Sequence, residues 1–200
     1  HCCPRLKNMK NNKIFFIFLI FMTGCASNSP YTVIDTSKNI KIENLESKYN
    51  RVIGTGTLSG NGKANFSSPF IFESQNQSSY IVFKDFLGRR KYMVDIDREN
   101  ITYIDLRSNQ QVDLDEFQNF FPISDQLNAK FYKNILWGDP RILKKININL
   151  KNSYSISTKL KSFESGNFLD EIIFSLNNSK QVYSIKFNRR NFKRWKNYLL

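Results

Sequence analysis

The chain has 200 residues, 40% hydrophobic and 14% aromatic, with 30 Lys and Arg against 17 Asp and Glu for a formal charge of +13. Its one histidine is His1 and its three cysteines are Cys2, Cys3 and Cys25, so almost no histidine or thiol chemistry is open to it. This length suits one domain with a substantial core and is short for two.

Lys10 and Lys13 precede the uninterrupted apolar run 14–22, and Thr23-Gly24-Cys25-Ala26-Ser27 follows. A charged start and a short apolar run match an export signal, and the run falls well short of the roughly 20 residues that a spanning helix needs. Met22-Thr23-Gly24-Cys25 resembles the bacterial lipobox, which implies that the Cys25 thiol receives diacylglycerol and that the mature chain starts there. An ordinary export signal that happens to end near a cysteine is the alternative. Residues 1–8 are expected to lie upstream of the start, 1–24 to be removed, 25–37 to form a lipidated tether and 38–200 to form the domain. Removal of 1–24 takes Arg5, Lys7, Lys10 and Lys13 and no acid, which lowers the formal charge from +13 to +9. A basic chain tethered to a membrane is expected to face anionic lipid headgroups, and no nucleic-acid partner is expected.

The mature chain would then hold no histidine, and Cys25 would be committed to acylation. A disulfide, a Ser-His-Asp or Cys-His site, a His-bearing zinc site and a His general base are excluded by counting. No catalytic residue, metal site or cofactor is expected, and the chain is read as a non-enzyme. Asp95, Asp97 and Glu99 suggest a calcium loop, yet Asn100 stands where the turn needs Gly and Leu106 where the closing Glu belongs. Gly54, Gly56, Gly60 and Gly62 fail the dinucleotide spacing, and Gly60-Asn61-Gly62 reads as a hairpin turn.

Within 38–50, Ile42, Leu45 and Tyr49 share one helical face. The period then changes to two, predicting strands at 52–59, 63–73, 79–86, 90–97 and 100–106 in a meander with one buried face. Asp113 and Glu116 form a possible capping box ahead of Leu114, Phe117, Phe120 and Phe121. A second helix is expected after Pro122, with Ser124 as its cap, Leu127, Phe131 and Ile135 on one stripe, and Gly138 and Pro140 at its end. Alternation resumes at Ile146–Leu150 and Tyr154–Leu160, and Ile172–Leu176 with Tyr183–Phe187 gives a last hairpin. The whole reads as mainly β (α+β): an incomplete antiparallel β-barrel with a helical lid, whose interior, if incompletely filled, is an apolar cavity. Phe117, Phe120, Phe121, Leu127 and Phe131 are its candidate lining.

Tyr80 to Gly88 followed by the strand Tyr92–Asp97, and Ile135-Leu136-Trp137-Gly138-Asp139-Pro140 at a helix end, resemble the LolB-type outer-membrane lipoprotein receptors over roughly Val52 to Pro140. That resemblance implies a monomer that accepts the acyl chains of lipoproteins from a periplasmic lipoprotein carrier and releases them into the outer membrane, with outer-membrane lipid as its other partner. Ala26 after Cys25, where an Asp would signal inner-membrane retention, agrees with that location. The resemblance also implies that Leu87, within Phe86-Leu87-Gly88, is a protruding membrane-insertion residue. An ordinary hairpin tip folded back onto the core is the alternative. Phe86 departs from the family's usual Pro, and Arg89-Arg90-Lys91 is more basic than the family, so these cations could hold phosphate headgroups. The basic, aromatic stretch 186–200 reads either as an interfacial anchor or as a last strand with a solvated tail. A scaffold lipoprotein with the same fold, a filled core and no lipid cargo is the competing function.

Overall fold

The computed structural model describes residues 42–61, 65–142, 153–163 and 166–194. Helix α1 (Ile42–Lys48) leads into nine strands: β1 (Arg51–Asn61), β2 (Asn65–Gln75), β3 (Ser78–Lys84), β4 (Arg90–Asp97), β5 (Asn100–Asp105), β6 (Gln110–Val112), β7 (Tyr154–Phe163), β8 (Gly166–Leu176) and β9 (Val182–Lys193). Helices α2 (Leu114–Gln118) and α3 (Ala129–Trp137) fall between β6 and β7. All nine strands form one antiparallel sheet in the order β6-β5-β4-β3-β2-β1-β9-β8-β7. Among the described residues the sheet is not closed: β6 and β7 are its two edges. Mainly β, open and with few helices, this is the fold class that the alternation predicts.

The sheet wraps around α3. Phe131 of α3 packs against Phe174 of β8 with ring centroids 6.3 Å apart, and the adjacent Tyr132 lies beside the phenol of Tyr103 of β5. Five strands separate β5 from β8 in the sheet order, or about 29 Å along a flat sheet at the usual strand spacing. Two neighbouring residues touch both only because the sheet curls.

The curl is built on β1. Gly54, Gly56 and Gly60 stand directly opposite Phe72, Phe70 and Phe66 of β2 and opposite Arg190, Phe187 and Tyr183 of β9. Rings from the two flanking strands meet over this bare row, with Phe70 and Phe72 each 5.8 Å from Phe187 in edge-on contact. A Cβ on Gly56 would lie 2.2 Å from Phe70 Cζ and 2.5 Å from the Lys186 carbonyl oxygen, so only glycine admits this approach. These glycines are strand residues, with Asn61 closing β1; Gly62, proposed for the turn, lies outside the described residues.

Three bulges interrupt the ladders, at Lys91 in β4, Asp170 in β8 and Asn188 in β9. Each leaves one residue unpaired in the interrupted ladder and switches which side chains face inward. In β9 the inward set therefore runs Tyr183, Ile185, Phe187 and then Arg190, rather than Arg189.

The helical segment departs from expectation in two places. Asp113 precedes α2, but its side chain makes no capping hydrogen bond; its carbonyl accepts the Phe117 N–H at 3.1 Å, and the helix lasts only five residues. Ser124 opens a single 3₁₀ turn (Ser124–Gln126) instead of a helix, because Leu127 is extended (φ −105°, ψ 120°), and its Oγ is buried without a partner. Asn128 is the cap of α3, accepting the Phe131 N–H at 2.8 Å. Gly138 ends α3 with φ 84°, a left-handed position that glycine fills at least cost. The predicted strand 146–150, Cys25 and the tether lie outside the described residues.

Candidate functional site

The β3–β4 connection projects from the sheet. Phe86 is 87% exposed and Leu87 61%, the two most exposed of the large apolar side chains among the described residues. Their exposure is held by a compact turn. Asp85 accepts the Leu87 and Arg89 N–H groups at 2.9 Å each and the Arg89 Nε at 2.7 Å, while its own N–H donates to the Arg89 carbonyl at 2.9 Å. Gly88, at φ 78°, has open space where a Cβ would stand. Desolvation works against ionisation of the Asp85 carboxyl, but the Arg89 side-chain bond and the two backbone N–H groups outweigh it and hold its pKa below the ordinary value. The tip is thus a preformed apolar projection, and the alternative of a tip folded back onto the core does not occur.

Beside the tip lies a groove of about 870 Å³, within the range of ligand sites. Its lining draws on the start of β2 (Asn65 to Ser68), the end of β3 with the tip (Lys84, Asp85, Phe86), the start of β4 (Lys91, Tyr92), the end of α2 (Gln118 to Phe120) and the β8–β9 turn. Aromatic rings make the floor: Phe120 lies 5.0 Å from Tyr92, 5.2 Å from Phe83 and 6.0 Å from Phe66. Polar residues line the rim. The bulge at Lys91 places both Lys91 and Tyr92 against this groove, and Lys91 Nζ stands 5.0 Å from the Phe120 ring and 5.2 Å from the Tyr92 ring.

Of the five residues proposed to line a cavity, Phe120 alone lines this groove. Phe117, Phe121, Leu127 and Phe131 are buried in the core. Phe117 is enclosed by Tyr103, stacked at 4.4 Å, by Tyr92 at 5.6 Å and by Phe83 at 6.2 Å. Among the described residues no group of three or more His, Cys, Asp or Glu is placed to hold a metal ion, and no helix is long and apolar enough to cross a membrane.

The sequence reading missed Arg190. It is sequestered inside the fold, where Nη2 donates to the Ile135 carbonyl at 2.8 Å, Nε to Leu136 at 2.9 Å and Nη1 to Leu169 at 2.6 Å, with the guanidinium 3.8 Å from the Phe187 ring centroid. Its charge caps the carbonyl end of α3 and ties it to β8. Burial lowers its pKa to about 9, opposed by the charge of Asp170, so it stays protonated at neutral pH. Strand β9 runs on to Lys193, and Phe192 packs on Trp137 and Phe168; this much of the C-terminal stretch is a last strand.

No protein-family model and no curated protein matches the chain. Among solved structures it is similar to a DUF1329 family protein from Desulfovibrio piger, at 8% identity and a TM-score of 0.44 over 80% of this chain and 90% of that one. It is also similar to a LolA superfamily protein from Nitrosomonas europaea, at 7% identity and a TM-score of 0.37 over 78% of this chain and 96% of that one. At these scores neither likeness carries an argument. The fold assignment rests on the strand order itself.

Proposed function

We propose that this chain is an outer-membrane lipoprotein, anchored on the periplasmic face through Cys25, that receives the acyl chains of other lipoproteins and helps insert them into that membrane. The observation that carries the proposal is the continuity of a rigid, exposed apolar tip with an aromatic-floored groove. Phe86 belongs to both. Burying a large apolar side chain is worth about 1.5–3 kcal/mol, so two that are mostly exposed gain roughly 3 kcal/mol together on entering the acyl boundary. That corresponds to about 150-fold in partitioning, sufficient to orient a tethered domain without fixing it irreversibly. The work needs no cofactor and breaks no bond. A carrier hands the acyl chains over, the groove shelters them, and the tip brings the groove to the bilayer.

A lipoprotein-transfer assay with Leu87→Glu tests this reading. Delivery should fall sharply while the melting temperature stays close to that of the parent, because an exposed tip contributes little to the fold. Undiminished delivery would end the proposal. The scaffold reading is favoured by one observation, the burial of Phe117, Phe121, Leu127 and Phe131 in the core. Binding of an acylated peptide that is lost on Phe120→Asp decides for cargo over scaffold.

A further inference from the structure

We propose that the cations at the base of the tip form a phosphate-reading collar, so that the domain docks on a leaflet carrying anionic phospholipids and leaves a zwitterionic one largely alone. The inference rests on the insertion-tip reading and adds the chemistry of the surface that the tip enters. Four cations crowd this end of the sheet: Lys84, Arg89, Arg90 and Lys91. Arg89 is spent on Asp85, which neutralises the one carboxylate of the turn. Lys84, Arg90 and Lys91 form no ion pair among the described residues, and the nearby Asp105 carboxylate is occupied by Arg107. Glu116 acts on Tyr92 and Arg107 at this end, and Arg90 acts on Tyr80, whose hydroxyl donates to Glu73, an acid already bonded to Arg51.

The placement of the free cations is itself unfavourable without an anion. Lys84 and Arg90 are direct cross-strand partners, and like charges opposite one another destabilise a sheet. The bulge then adds Lys91 next to them and lays it along the groove, where its ammonium has rings rather than carboxylates for neighbours. An anionic headgroup above this cluster relieves the repulsion, and it does so at the depth where the flanking Phe86 and Leu87 enter the acyl region. Cations near an anionic leaflet are each worth about 1 kcal/mol, or about fivefold in binding, and the gain falls off within a Debye length.

The test uses the mature acylated chain in liposomes. With Cys25 acylated, Phe86→Cys supplies a single free thiol for an environment-sensitive fluorophore at the tip. The expected result is a blue-shifted, docked state on phosphatidylcholine vesicles containing phosphatidylglycerol, weakened by salt and much reduced on pure phosphatidylcholine. Arg90→Gln with Lys91→Gln should lower the docked-to-undocked ratio roughly thirtyfold on the anionic vesicles. Lys186→Gln with Lys193→Gln, which removes the same charge from exposed positions on β9, should leave it within about twofold. Docking that ignores phosphatidylglycerol, or that the two double variants weaken equally, overturns the collar and leaves the insertion tip standing. A probe that stays in water on every vesicle overturns both.

Discussion

Arg190→Met is the substitution that most directly tests how the lid is held. The methionine keeps the stem's apolar packing but withdraws three donors, leaving the carbonyls of Ile135, Leu136 and Leu169 buried without them. Hydrogen bonds from a charged donor are worth about 1.5–3 kcal/mol each. Part of that sum is offset because the desolvation of the guanidinium disappears with it and the Ile135 carbonyl keeps the Gly138 N–H at 3.1 Å; at roughly 1–3 kcal/mol for each carbonyl left short of a donor, the net loss should be about 2–4 kcal/mol. Against a typical total stability of 5–15 kcal/mol this is severe. Urea denaturation of the purified domain should show a midpoint lowered in proportion, at unchanged slope. Arg190→Lys, with one compact ammonium in place of a fork, should fall between the two. Hydrogen exchange supplies the local readout: the Leu169 N–H, bonded to the Gly138 carbonyl at 2.9 Å, should lose protection more than the β3–β4 ladder does. A methionine variant within 0.5 kcal/mol of the parent would refute the argument that the guanidinium pins the end of α3.

Gly56→Ala should cost about 1–3 kcal/mol or more by thermal melting, since its Cβ meets a ring and a strand carbonyl at once, whereas Gly88→Ala should cost about 1–2 kcal/mol through its positive φ alone. The folded pKa of Asp85 lies below the unfolded value, so its contribution to the turn is complete above pH 3.8 and is lost as the pH falls through the folded pKa. The amide shifts of Leu87 and Arg89 should report that loss together, and an Asp85→Asn protein that titrates in the same way would contradict it. Radiolabelled palmitate should enter the parent chain and not Cys25→Ser. On density gradients the labelled protein should travel with the outer membrane, and recovery with the inner membrane would contradict the assignment.

Alternation made the first five strands legible to within about two residues, because each buries one face and the turns between them carry Gly, Asn or charged residues. The protruding tip was expected only through the resemblance carried by Tyr80 to Gly88; the Asp85 carboxylate that holds the turn, bonded to the Leu87 and Arg89 N–H groups, was not read from the sequence. Nor was Arg190. Period-two counting from Tyr183, Ile185 and Phe187 predicts an inward Arg189, and the unpartnered Asn188 moves that position onto the next arginine. A bulge leaves no mark in composition, so a basic strand end was read where a buried cap stands. Ser124 misled for a related reason: its residue type suits a helix cap, but the extended Leu127 moves the real start of α3 to Asn128. The same limit applies to the cavity-lining stripe, whose spacing fixed which residues share a face but not whether that face meets a ring or open space.

Lys91 has one more consequence. Deleting a residue inside a strand usually turns every later side chain to the wrong side, because the pleat alternates strictly. Here the extra residue has no counterpart on β3: Arg90 pairs with Lys84 and Tyr92 with Phe83, so excising Lys91 would bring those pairs into consecutive register and leave the rest of β4 as it is, with the bond from the Leu106 N–H to the Lys91 carbonyl, at 2.9 Å, to be remade. This end of the molecule can therefore be shortened by one residue without rewriting the sheet, and the groove's ammonium is separable from the strand that carries it.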